Sequence, residues 1–391
     1  KTIFILTYDE NDGYFDHAPT FIAPEYSKPA TGKVSEGIDT RLDYVKMEQD
    51  VIGPIGLGYR VPLVIASPWS RGGCVNSQVF DHTSTLQFLE TFLNKKFGKN
   101  IEETNITKWR RTVCGDLTST FQPYKGEAVA SLPFLKKDLF IESIHKAKFK
   151  NVPSNYKSLT AAEIDEINKN PNASQYIPQQ EKGIRNACAL PYELYADGNI
   201  NVPEKKIEIN LKAGNKYFKD VNGAPFIVHA HNYSNAGFAE RNYALIAGDE
   251  LDDSWPIAEF NNNNYNLHVH GPNGFFRAFK GDDKDPDINV SLLYHADLKN
   301  NLDGNIQFSF VNNENKNHII EIIDNAYHQP KRSIQLNLHT QKTVLFYLDK
   351  SYGWYDFTIR VYGNNTFEKR YAGHVETGKA SKSDPLMGMI N

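Results

Sequence analysis

No apolar run in the 391-residue sequence approaches the roughly 20 residues that a membrane-crossing helix needs. The longest candidate, Val61-Pro62-Leu63-Val64-Ile65-Ala66, has the length of a buried strand. Cysteine is equally scarce. Cys74, Cys114 and Cys188 are too few and too scattered for a disulfide framework or a zinc knuckle, and they leave room for one bridge or for small buried side chains. The formal net charge of -4 supplies no basic field, so nucleic acid is not an expected partner. The opening Lys1-Thr2-Ile3-Phe4-Ile5-Leu6-Thr7-Tyr8 carries one charge and then β-branched and aromatic residues, with no small-residue cleavage site. It reads as a strand that begins in mid-domain rather than as a signal peptide.

What is present is ordinary globular material, 40% hydrophobic and 23% charged, enough for two or three domains. Strand signals at residues 2–8 and 60–66 frame a Gly/Pro-rich loop, Gly53-Pro54-Ile55-Gly56-Leu57-Gly58, and a helical pattern follows over residues 83–93. This alternation predicts a partial α/β domain with a mostly parallel sheet over residues 1–125. Residues 126–189 read as a connecting segment with one helix near 159–168, introduced by Ser158 and Thr160. Beyond Pro191, short alternating strands between Asn/Gly/Asp clusters predict all-β sandwich structure. The run Tyr265-Asn266-Leu267-His268-Val269-His270 is echoed about 90 residues later by Tyr355-Asp356-Phe357-Thr358-Ile359-Arg360, a spacing of one sandwich rather than of a solenoid unit. Two β-sandwich domains, 190–283 and 284–391, are therefore expected.

The densest acidic cluster, Tyr8-Asp9-Glu10-Asn11-Asp12-Gly13-Tyr14-Phe15-Asp16-His17, follows the first strand. Ligands of parallel α/β sheets sit at carboxyl strand ends. Adjacent carboxylates there repel unless a cation compensates, so Asp9 and Glu10 are candidate ligands of a divalent metal ion; the alternative is a turn built on Asn11-Asp12-Gly13. Asp16-His17 reads either as a pair orienting that site or as a surface dipeptide. In Phe80-Asp81-His82-Thr83-Ser84, His82 could ligate metal or face a phosphoryl oxygen; the alternative is that Asp81 or Thr83 caps the helix and His82 is a bystander. The His-x-His pairs His229/His231 and His268/His270 each place two rings on one face of a strand, where half-exposed strand residues are expected rather than a metal site.

Thr7-Tyr8-Asp9-Glu10-Asn11-Asp12-Gly13-Tyr14-Phe15-Asp16-His17 resembles a motif of the phosphocholine-preferring bacterial phospholipases C, relatives of acid and, more distantly, alkaline phosphatases. Gly56-Leu57-Gly58-Tyr59-Arg60, Ile65-Ala66-Ser67-Pro68-Trp69-Ser70-Arg71 and Phe80-Asp81-His82-Thr83-Ser84 resemble the stretches that follow it, and Gly271-Pro272-Asn273-Gly274-Phe275, Gly353-Trp354-Tyr355-Asp356 and Ala372-Gly373-His374-Val375-Glu376 resemble the paired C-terminal domains. The resemblance implies that Asp9 and Glu10 hold a divalent cation and that His82 stabilises phosphoryl charge or protonates the leaving oxygen. It implies phosphatidylcholine or sphingomyelin at a membrane surface as substrate, with Trp69, Tyr14 or Phe15 against the choline, and a secreted or periplasmic enzyme. Family members take the nucleophile and remaining ligands from a segment with no counterpart here, so the missing N-terminal part is an expected partner and this stretch alone an expected inactive one. A phosphomonoesterase and a non-catalytic lipid- or partner-binding sandwich are the alternatives.

Overall fold

The computed structural model describes residues 2–11, 19–46, 52–126, 134, 136–152, 154, 156–177, 181–217 and 221–388. In the N-terminal region the strands are β1 (Phe4–Thr7), β2 (Gly32–Val34), β3 (Tyr44–Lys46), β4 (Ile52–Pro54), β5 (Leu63–Ala66) and β6 (Cys74–Val75), followed by helices α1 (His82–Phe97) and α2 (Lys108–Val113). β1 pairs with β5 in antiparallel register, Phe4 opposite Ala66 and Thr7 opposite Leu63. This differs from the expected parallel arrangement. A parallel return needs a crossover, usually a helix, and the described chain between these strands holds only short strands and 3-10 turns. The pair is thin and its apolar side chains lie open, with Phe4 57%, Leu6 50% and Val64 52% exposed.

Two helices, α3 (Lys137–Ala147) and α4 (Ala161–Lys169), occupy the connecting segment. α4 falls at the predicted position, because Thr160 and Glu163 form a reciprocal capping box. α3 was not expected. It starts at Lys136 with no side-chain cap and buries none of its residues, so it offers neither an N-terminal signal nor a core-facing stripe. Among the described residues no helix is long and apolar enough to cross a membrane.

After the short β7 (Asn186–Ala187) come two runs of seven strands. The first is β8 (Leu194–Asn201), β9 (Lys206–Ala213), β10 (Ala224–His231), β11 (Phe238–Leu245), β12 (Glu250–Pro256), β13 (Asn264–His270) and β14 (Phe276–Asp282). The second is β15 (Ile288–Ala296), β16 (Leu302–Asn312), β17 (His318–Asp324), β18 (Arg332–Leu336), β19 (Gln341–Phe346), β20 (Trp354–Val361) and β21 (Glu368–His374), before a terminal β22 (Ser381–Lys382). Strand orders match one for one: β12-β9-β8 against β19-β16-β15, and β11-β10-β13-β14 against β18-β17-β20-β21. Each run is thus a sandwich of one three-stranded and one four-stranded sheet. The four-stranded sheets join edge to edge through β14 and β21, and β2 adds at the β11 end to make nine strands.

The joint has its own symmetry. Ala278 lies opposite Arg370 at its centre, with Arg277 opposite Tyr371 on one side and Phe279 opposite Lys369 on the other. Arg277 and Lys369 thereby take matching places in the two copies, and both are buried. The Arg277 guanidinium donates to the carbonyls of Phe276 and Ala372 at 2.8 Å and to the Tyr355 hydroxyl at 3.0 Å, and lies 4.0 Å from the Phe275 ring centre. The Lys369 ammonium donates to the Gly198 carbonyl and the Asn199 side chain at 2.7 and 2.9 Å. One contiguous apolar core runs from Leu190 through both copies to Val375. At the end of β21, His374 Nδ1 meets Glu376 Oε1 at 2.8 Å, and Glu376 Oε2 accepts from the Leu190 amide at 3.1 Å, clamping the end of the second sandwich to the entry of the first.

The N-terminal region docks on this edge. β2 runs parallel to β11, Gly32 opposite Asn242. Gly32 has φ 132°, and a Cβ there would lie 1.8 Å from the Asn242 carbonyl oxygen, so only glycine allows the approach. Beneath it, Trp109 and Val113 of α2 pack with Ala23, Cys114 and Ala244 in a small second core.

Candidate functional site

At the end of β1 the Tyr8 amide donates to the Pro62 carbonyl at 3.2 Å, extending the pairing by one residue. The chain then turns outward at Asp9 and Glu10. Both side chains are exposed, and Asp9 Oδ1 accepts from the Glu10 amide at 3.0 Å. His82, distant in sequence, comes to the same place. It is the first residue of α1, and its Nε2 lies 3.1 Å from the Asp9 backbone carbonyl. A carbonyl oxygen can only accept, so this hydrogen bond puts a proton on Nε2.

Asp81 explains why His82 faces outward. Its side chain accepts from the Thr83 amide at 2.9 Å, Ser84 completes the capping box, and Arg110 of α2 pairs with its other oxygen. With Asp81 turned inward, the next side chain along the helix start points to the β1 loop. Arg110 also donates to the Gly56 carbonyl at 2.8 Å and approaches Asp43 at 3.5 Å, so one guanidinium fastens α1, α2 and the loop before β5. Asp43 is fully buried, and that burial raises its pKa despite a hydrogen bond from Thr107 and the nearby Arg110 charge. The neighbouring Cys114 thiol is pushed well up by burial.

A cleft of ≈ 540 Å³ opens beside His82, lined among others by Thr7, Arg60, Leu63, Asn76 and Phe80. Arg60 and Asn76 were not singled out from the sequence, since neither stands in a spaced pattern; the tertiary fold alone brings them to His82. Trp69 lines an adjoining cleft that shares Leu63, Asn76 and Phe80 with this one. Asp16, His17, Tyr14 and Phe15 lie outside the described residues.

The donor set suits a hard divalent cation in part. Asp9 and Glu10 present carboxylate oxygens, the ligand type such ions take, at an exposed chain corner beside an imidazole. No group of three His, Cys, Asp or Glu side chains converges among the described residues. The two His-x-His pairs form a separate array on the outer face of the nine-stranded sheet. His229 lies opposite His268, and ring centres of His231 and His268 are 4.5 Å apart, those of His229 and His270 5.1 Å. All four are half-buried, beside Phe238 and Phe276. Burial and the neighbouring rings push His268 and His270 down to about 4.

Residues 1–94 match the Phosphoesterase family, and residues 186–282 and 288–374 match the bacterial phospholipase C C-terminal domain. The chain is 34% identical over 391 residues to the non-hemolytic phospholipase C of Burkholderia pseudomallei, covering 99% of this chain and 51% of that protein. It is 32% identical over 402 residues to the non-hemolytic phospholipase C of Pseudomonas aeruginosa, covering 100% and 52%. Over 122 residues, 31% of the chain, it is 42% identical to phospholipase C B of Mycobacterium tuberculosis, covering 21% of that protein. The chain thus spans about half the length of the first two relatives. On these matches and the architecture that carries them, the chain belongs to the bacterial phospholipase C family.

Proposed function

We propose that this chain forms one wall of the active site of a secreted or periplasmic phospholipase C that cleaves phosphatidylcholine, or sphingomyelin, on the diacylglycerol or ceramide side of the phosphorus. The observation that carries the reading is the meeting of His82 with Asp9 across 73 positions of sequence, at the mouth of a cleft that also holds Arg60. In this scheme Asp9 and Glu10 hold a divalent ion. When bound, that ion activates a hydroxyl nucleophile and offsets phosphoryl charge. The nucleophile and the remaining ligands come from chain outside residues 1–391; the open apolar sides of β1 and β5 and the half-length match to the relatives support further strands there. Arg60 faces phosphoryl oxygens. His82, protonated on Nε2, releases that proton to the leaving oxygen as its bond to phosphorus breaks and the bond from the nucleophile forms. Trp69 supplies an aromatic face toward the quaternary ammonium.

The test uses the full-length protein, with phosphatidylcholine and a simple phosphomonoester as substrates. Asp9→Ala and Glu10→Ala are each expected to lower phosphatidylcholine turnover by about 100-fold or more, and a chelator to do the same reversibly. Full activity in both variants overturns the metal assignment. Preferential turnover of the monoester overturns the substrate class and leaves the metal site standing.

A further inference from the structure

We propose that Cys74 and Cys188 form a disulfide that ties the N-terminal region to the entry of the first sandwich. The two residues belong to different regions of the sequence, yet Cys74 lies in β6 and Cys188 directly follows the neighbouring β7. Cys74 begins β6, which pairs in parallel with β7, and the Cys188 amide donates to the Val75 carbonyl at 2.8 Å directly after that pairing. Both sulfurs accept from one amide nitrogen, Nε2 of Gln122, at 3.4 and 3.7 Å. Two sulfurs that share one donor nitrogen at these distances face the same small space. Cys74 is exposed and reaches solvent through the same cleft that Cys188 lines. Cys114 is buried under α2 and stays outside this pair.

The oxidant is a second disulfide, small or protein-borne. The exposed Cys74 thiolate attacks one sulfur of that disulfide and expels the other, which leaves as a thiol; burial raises the Cys188 pKa and shields it, so the exposed Cys74 is the first to react. The Cys188 thiolate then attacks Cys74 Sγ and expels the second thiol. Two protein thiols are oxidised, one external disulfide is reduced to two thiols, and both protons pass to them. The link closes a loop of more than a hundred residues containing α1, α2 and the whole connecting segment.

The full-length protein is incubated with oxidised glutathione, alkylated, digested without reductant and analysed by mass spectrometry. The expected product is a peptide pair joined through Cys74 and Cys188, with Cys114 alkylated. Complete alkylation of Cys74 or Cys188, or pairing of either with another cysteine, overturns the proposal. Oxidation should raise the melting temperature of the wild type by about 5 °C and that of Cys74→Ser not at all. A link without that thermal gain overturns the tethering role.

Discussion

Asp81 and His82 are consecutive, yet the fold gives them opposite work. Asp81 is turned inward, a helix cap and the partner of Arg110. His82 is turned outward to the Asp9 carbonyl. Asp81→Ala removes the cap and leaves a mostly buried guanidinium short of one carboxylate, which should destabilise the protein by about 3 kcal/mol. His82→Ala touches no packed surface and should change stability by less than about 0.5 kcal/mol while lowering turnover of phospholipid. Urea denaturation and turnover assays of both variants check the division; equal losses of stability would contradict it. This pair also shows how far sequence reading reaches at residue scale. Capping chemistry is local, so Asp81 is identifiable from its neighbours alone. The meeting of His82 with Asp9 depends on α1 docking beside β1, and no local pattern encodes that; resemblance to relatives pointed to it. Arg60 stood at the end of the quoted Gly56-Leu57-Gly58-Tyr59-Arg60 stretch, but with no role assigned to it.

Among elements, β10 and β13 carry the histidine array, and its electrostatics make a pH prediction. Burial is the largest cause of the lowered values of His268 and His270; the charges of neighbouring rings, and of Lys280 for His268, add to it. His231 is lowered for the same first cause, and Glu240, 3.2 Å from His229 Nε2, offers a countercharge to that ring. In the unfolded chain His268 and His270 take protons near pH 6.5; in the folded sheet these two resist until about 4. Stability is therefore present above 6.5 and lost as pH falls toward 4. Asp197, pushed up to about 6 by burial, works in the opposite sense over part of that range. The double variant His268→Gln/His270→Gln should show a shallower fall of melting temperature between pH 6.5 and 4 than the wild type, and identical slopes would refute the array as its source. β13 was readable from alternation because it buries one face, whereas β10 is buried on both faces over its first five residues and alternates only toward His231. β2 was not, since three residues within a loop carry no period. Nor does alternation say which edges pair, so the β1–β5 direction and the β14–β21 junction had to come from the structure.

At the scale of the whole molecule, the two copies share a sheet and a core. Their unfolding should be one cooperative event, seen by calorimetry as a single peak for this part of the protein. Arg277→Met, at the joint, keeps much of the side-chain length but removes three donated hydrogen bonds to groups left buried, and should cost about 3 kcal/mol of that single transition. Two separated peaks in the wild type would show that the shared sheet does not couple the copies.

The copies match strand for strand, but β2 lies against the outer side of β11, while no described strand lies outside the corresponding edge strand, β18. Once duplicated, the two edges came under unequal constraint. Across β11 a substitution must answer to Gly32 and to the region docked behind it. At β18 it answers to its own sandwich alone, so mutational tolerance in a deep scan should be wider over Arg332–Leu336 than over Phe238–Leu245.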